Sequence, residues 1–78
     1  IPANKQFQVF ATGSFEYVRM FVFNQWGQMI FQGNSINDKW DGTYKGKEQP
    51  MGVYVYVIRY KRPGGTEQVK KGSITLLR

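Results

Sequence analysis

Along the chain, apolar residues recur at every second position in several separate runs, and nowhere with the sustained period of a helix. Phe7, Val9 and Ala11 alternate with Gln6, Gln8 and Thr12, which predicts a first strand of about six residues with one face inward. In the run FEYVRMFVF, Phe15 to Phe23, the residues Val18, Met20 and Val22 share one face, and Tyr17, Arg19, Phe21 and Phe23 share the other. The first set is the core choice. The apolar side chains toward Phe23 on the second face predict that this end of the strand is covered on both sides, by the loop that carries Trp40. Gln28 to Phe31 returns as its hairpin partner, and Lys39-Trp40-Asp41 reads as a short strand or the end of one. Val53 to Lys61, VYVYVIRYK, is the most strand-like run because it is built of β-branched and aromatic residues. Val53, Val55 and Val57 lie on one face and Tyr54, Tyr56, Ile58 and Tyr60 on the other; both are apolar, which predicts a central strand. Gln68 to Leu77 is the last strand, with Lys70, Gly72, Ile74 and Leu76 opposite Val69, Lys71, Ser73, Thr75 and Leu77, and with Ile74 and Leu76 filling the core.

Turn chemistry separates these runs. Thr12-Gly13-Ser14, Asn24-Gln25-Trp26-Gly27 and Pro63-Gly64-Gly65-Thr66 are tight turns, and Gly33 to Asp38 is a loop. Asn24 is a good turn opener and Gly27 can take the left-handed position that follows. The densest punctuation lies in WDGTYKGKEQPMGVY, Trp40 to Tyr54, where Asp41-Gly42, Lys45-Gly46, Pro50 and Gly52 sit between two aromatic residues. That stretch reads as a large folded hairpin or corner pinned by Trp40 and Tyr54, with Tyr44 to Pro50 a polar excursion. Asp41 reads as an Asx-type acceptor for the amides of Gly42 to Tyr44. Several short strands with turns between them indicate an all-β fold, an antiparallel immunoglobulin-like β-sandwich of about six or seven strands, ahead of a small barrel.

Composition narrows the chemistry. The 78 residues make room for one domain over 1–78, and a chain of this size hides only about 60% of its unfolded surface, so its aromatic residues must supply much of the core. The sequence holds no cysteine and no histidine, which removes disulfides, thiolate metal sites, the usual zinc ligand and the usual general base. No cofactor or catalytic site is expected, because no histidine can activate the serines and threonines and the acids show no paired spacing on one face. Asp38, Asp41 and Glu48 lie close enough in sequence to raise a calcium site, but acids in a turn-rich loop more often cap backbone amides. A net charge of +6 raises nucleic acid as a partner. The cations run scattered from Lys5 to Arg78, with one denser group at Arg59, Lys61 and Arg62 followed by Lys70 and Lys71, and Arg59 and Lys61 fall on the face opposite Tyr56 and Tyr60. The expectation is therefore no nucleic-acid function: the scattered cations read first as a solvated surface, and second as a surface for an acidic partner or an anionic membrane. No apolar run is long enough to span a bilayer as a helix, and Ile1 opens no signal peptide.

Three motifs then occur in order: FVFNQWGQMIF at Phe21 to Phe31, WDGTYKGKEQPMGVYVYVI at Trp40 to Ile58, and KGSITLLR at Lys71 to Arg78. Together they resemble the gliding motility-associated C-terminal domain, the type B C-terminal domain of the type IX secretion system of the Bacteroidota. The positions that carry the resemblance are Asn24, Trp26, Gly27, Trp40, Asp41, Gly42, Gly46, Pro50, Gly52, Tyr54, Lys71, Gly72, Ser73, Ile74, Thr75 and Leu76. Gln25 stands where family members usually have arginine, and of the usual segment ahead of the first strand only Asn4 to Val9 is similar. The chain therefore reads as a C-terminal fragment of a larger secreted protein, with the family's N-terminal segment missing and GSITLLR as the natural end.

The resemblance implies a delivery label. Such a domain directs a large cargo, for example a surface adhesin, through the periplasm and across the outer membrane to the cell surface or the medium. Its partners are the type IX machinery and an outer-membrane protein of the PorP/SprF family. Trp26 and Trp40 read first as packing over the sheet ends and next as a contact with the export machinery; the alternative from a different class is a non-catalytic carbohydrate-binding or adhesive sandwich, with the same two residues as a sugar-stacking platform.

Overall fold

The computed structural model describes residues 6–77 of the chain. Six strands form: β1 (Tyr17–Phe23), β2 (Met29–Gly33), β3 (Thr43–Tyr44), β4 (Lys47–Glu48), β5 (Gly52–Lys61) and β6 (Gln68–Leu76). They make one four-stranded antiparallel sheet in the order β2-β1-β5-β6 and a small β3-β4 hairpin. The all-β, antiparallel, sandwich-like architecture is the one that the alternation of the sequence indicates.

The two hairpins of the large sheet follow from their turns. In the β1–β2 turn the Asn24 carbonyl accepts from the Gly27 amide, while the Asn24 side chain accepts from the amides of Trp26 and Gln28. Gly27 takes φ +79°, the left-handed conformation that a glycine adopts without Cβ strain. In the β5–β6 turn the Gly65 amide donates to the Arg62 carbonyl. The β1–β2 ladder carries a bulge: Val22 pairs with Phe31 and Phe23 with Met29, which leaves Ile30 without a partner across the ladder. The extra residue brings both Ile30 and Phe31 to the core, where strict alternation would send one of them out.

The core lies on one face of the large sheet. Val18, Met20 and Val22 from β1, Tyr54 and Ile58 from β5 and Ile74 and Leu76 from β6 are all buried there. β5 is central, as expected, and its tyrosine face is the inner one. Trp40, Ile36 and Phe7 pack over this face from the loops. The second layer is therefore made of loop segments and the β3-β4 hairpin rather than of long strands.

Three expectations need correction. Phe7 to Thr12 forms no strand; a single antiparallel bridge joins Phe7 to Trp40, with N–H to O distances of 2.8 and 2.9 Å in the two directions. Tyr44 to Pro50 is no featureless excursion, because Lys45 (φ +53°) and Gly46 (φ +80°) form a two-residue turn with positive φ at both positions, the geometry that joins adjacent strands into a tight hairpin. Among the described residues the Phe23 end of β1 is not covered on both sides: Trp40 packs on the Val22 side, and no layer lies above the valine face of β5.

Candidate functional site

Trp40 organises one end of the sheet. Its ring is 1% exposed and packs with Val22, Ile30, Tyr54, Ile74 and Leu76. The indole N–H donates to the Thr43 carbonyl at 2.9 Å, and the ring meets Tyr54 edge-on at a centroid distance of 5.2 Å. Tyr54 is held from the other side by its hydroxyl, which donates to the Pro50 carbonyl at 2.6 Å. Asp41 closes the corner: one carboxylate oxygen accepts from the Thr43 amide at 3.0 Å and from the Thr43 hydroxyl at 2.6 Å. The Thr43 hydroxyl holds the Asp41 carboxyl below its ordinary value, outweighing the opposing effect of desolvation. Gly42 is buried in the same corner, and its carbonyl accepts from the Gln49 amide. The motif residues Trp40, Asp41, Gly42, Pro50 and Tyr54 thus meet in one hydrogen-bonded corner, with Gly46 at the outer tip of its hairpin.

The other motif residues converge on the same end of the sheet. Gly52 pairs with Leu76, and the Gln25 amide lies 3.0 Å from the point where a Cβ on Gly52 would stand, so the β1–β2 turn closes over the start of β5. Ile74 and Leu76 are buried beneath Trp40, while Lys71, Ser73 and Thr75 point to the opposite face. At Gly72 an added Cβ would stand 2.5 Å from the Tyr56 ring, which lies across the strand at that point.

Two functional alternatives lose their geometry. Trp26 is 81% exposed and Trp40 is buried, so the two indoles form no stacking platform, and Trp26 does not pack over the sheet end. Asp38 accepts from the Asn34 amide and Asp41 from Thr43, and among the described residues no group of three acidic, histidine or cysteine side chains converges as a metal site would require. An apolar cleft of about 120 Å³ lies between Val9, Phe15, Ile36, Ile58 and Tyr60, and a more open depression of about 740 Å³ lies beside it, lined by Gln8 to Thr12, Ile36, Asn37 and Lys39.

The feature that sequence reasoning missed is the outer face of the large sheet. The ladder places Met29, Phe23, Val55 and Ser73 in one row and Gln32, Phe21, Val57 and Lys71 in the next, with Val53 and Thr75 beyond. Val53 is 52% exposed, Val55 45% and Met29 44%, and Phe21, Phe23 and Val57 are half-buried. Charge takes over along the same face toward the other end. Arg19 pairs with Arg59, which pairs with Val69, and Tyr17 pairs with Lys61. Glu67 engages Arg59 at 3.6 Å and accepts from the Tyr17 hydroxyl at 3.0 Å, while Glu16 engages Lys61. Partial desolvation, and then the Glu67 carboxylate, raise the Tyr17 hydroxyl above its ordinary value. Arg19, stacked 5.0 Å from the Tyr17 ring centre, and Lys71 have no carboxylate partner among the described residues. The signal for this face is present in the sequence as the valine row of β5, whose apolar character predicts a central strand without saying that one of its faces stays open.

Among the described residues no helix is long and apolar enough to cross a membrane. No curated protein and no solved structure matches the chain. A family model does: the CHU_C type IX secretion signal domain matches residues 2–76. That match takes in the β1–β2 turn, the Trp40 corner, the open face and the whole of β6, and on it the chain belongs to the type IX secretion signal domain family.

Proposed function

We propose that the domain is the type B, gliding motility-associated form of this signal, and that it sends a large cargo such as a surface adhesin from the periplasm across the outer membrane. Family membership itself implies export to the cell surface or the medium and contact with the type IX machinery, and a secretion signal domain belongs to no catalytic family. The finer reading rests on the order of the three motifs, Asn24-Gln25-Trp26-Gly27, Trp40-Asp41-Gly42 and Lys71 to Leu76, and names a PorP/SprF-family outer-membrane protein as partner. The corner around Trp40 supports it as well, since a label must be folded to be recognised and this corner ties the turn motif to the last strand. Unlike an enzyme, such a label needs only a stable fold and an accessible surface.

The test is a reporter with a periplasmic signal peptide fused ahead of this domain, expressed in a host with a type IX system and a PorP/SprF-type protein. The expected result is reporter at the cell surface or in the medium, and retention when that partner is deleted. Removing residues 71–78 should also leave the reporter in the periplasm, because Ile74 and Leu76 are core residues and β5 would become an open edge. If the fusion, and a longer C-terminal piece of the parent, both stay inside while another family member passes in the same host, the secretion reading is wrong. Export that is indifferent to the PorP/SprF-type protein overturns the type B assignment.

A further inference from the structure

We propose that the outer sheet face, with Phe21, Phe23, Val53 and Val55 at its centre and Arg19 and Lys71 at its border, docks a protein of the export machinery whose surface is apolar with carboxylates along one side. The proposal rests on the secretion reading above and names the surface through which it acts.

The open face of an antiparallel sheet ordinarily carries polar residues, which is what keeps it in water without cost. Here the positions on β1, β2 and β5 nearest the β1–β2 turn are Phe21, Phe23, Met29, Val53, Val55 and Val57, contiguous across three strands, with Val53 and Val55 about half exposed. A contiguous apolar face of this kind on a small domain marks an interaction surface. Trp26, 81% exposed, stands at the turn that adjoins this end of the sheet, and aromatic residues of that sort are common anchors at interfaces.

Charge selects the occupant. The acids near this face are already engaged, Glu67 with Arg59 and Glu16 with Lys61, while Arg19 and Lys71 carry uncompensated charge beside the apolar centre. A partner with carboxylates opposite Arg19 and Lys71 is attracted and oriented; like charge there is repelled. A second copy of this chain brings the same cationic face and a net charge of +6, so face-to-face self-association is opposed. A lipid surface is also a poor match. The apolar side chains here stand directly on the sheet, so burying them to the roughly 5–10 Å depth of an interfacial helix would also carry the outer edge of β6 out of water, and with it backbone groups that have no strand beside them among the described residues.

The test uses the reporter fusion in three variants. Val53→Thr with Val55→Thr keeps the β-branched shape and removes the apolar surface; Arg19→Glu with Lys71→Glu reverses the border charge. Lys45→Glu with Lys47→Glu makes the same change in net charge on the β3-β4 hairpin, away from the face. Melting temperatures of the purified variants establish that each is folded. The expected result is that both face pairs lower export by about tenfold, a change worth about 1.4 kcal/mol of recognition, while the hairpin pair stays within about twofold of wild type, as a surface change away from an interface does. Purified wild-type domain should be monomeric by light scattering and should not sediment with vesicles of phosphatidylethanolamine and phosphatidylglycerol. If wild type is exported and both folded face pairs pass equally well, this surface is not the docking site and the secretion reading stands. Retention of wild type and of the longer C-terminal piece, while another family member passes in the same host, removes both. A dimer, or vesicle binding, that the face variants abolish assigns the face to another occupant and overturns the proposal.

Discussion

Replacing Trp40 with alanine should cost the domain between a third and all of its stability. The side chain is 1% exposed and belongs to one buried cluster with Val22, Ile30, Tyr54, Ile74 and Leu76. Truncating a buried tryptophan to alanine costs about 3–5 kcal/mol through lost transfer energy and the cavity left behind. The Thr43 carbonyl loses the indole N–H at 2.9 Å as well, which adds about 1 kcal/mol. The Phe7–Trp40 bridge is made by backbone and survives in principle, so the loss falls on the corner. A native domain of this size holds about 4–12 kcal/mol in total, at about 0.05–0.15 kcal/mol per residue, so a loss of about 4–6 kcal/mol takes between a third of it and all of it. Trp40→Phe should fall between the two, because a ring remains and the hydrogen bond is lost. Trp26→Ala, at a position 81% exposed, should stay within about 0.5 kcal/mol of wild type. The assay is urea denaturation followed by far-ultraviolet circular dichroism at fixed pH and salt. A Trp40→Ala protein whose urea midpoint matches that of Trp26→Ala would refute the reasoning, since the corner would then not depend on its central ring.

Asp41→Asn should lower the melting temperature at neutral pH, and the difference from wild type should disappear in acid. The Thr43 hydroxyl depresses the Asp41 carboxyl in the folded state, so its stabilisation is full above the ordinary carboxyl value of 3.8 and is lost as pH falls through the lower folded value; parallel melting curves across that range check the sign. Gly72→Ala should destabilise by about 1–3 kcal/mol, because the Tyr56 ring stands 2.5 Å from the new Cβ and is itself packed against Phe7; a chemical melt that shows no loss would mean that the ring swings away freely. Binding to random-sequence DNA should be weak and should vanish near 0.15 M salt, where charges are screened beyond about 8 Å; sub-micromolar affinity by anisotropy at that salt would contradict it.

The local levels of this fold could be read from the residues. Alternation in FEYVRMFVF selects Val18, Met20 and Val22 as core, and they are buried; the glycine and asparagine positions at Asn24 to Gly27 specify the turn that forms there. The Asx role of Asp41 was equally legible, since it is satisfied within two residues by Thr43. These features depend on a handful of neighbours in sequence, where steric and hydrogen-bond preferences act directly. Short elements were harder: β3 and β4 are two residues each, too brief for any period, and Phe7 to Thr12 alternates like a strand yet has only Trp40 as its bridge partner.

Which face of β5 goes inward was beyond the sequence. Its valine and tyrosine rows are both apolar, and periodicity assigns residues to two faces without saying which face meets a second layer. The tertiary structure decides it through long-range contacts: Trp40 meets Tyr54, Phe7 meets Tyr56, and Phe15 meets Tyr60. The Trp40 and Phe7 segments come from loops whose paths are fixed by the Asp41 corner and the Phe7–Trp40 bridge, and together they cover one side only. The valine row faces water with Phe21 and Phe23 beside it, and the surface proposed for recognition exists because the described residues supply a second layer for one face of the sheet and not for both.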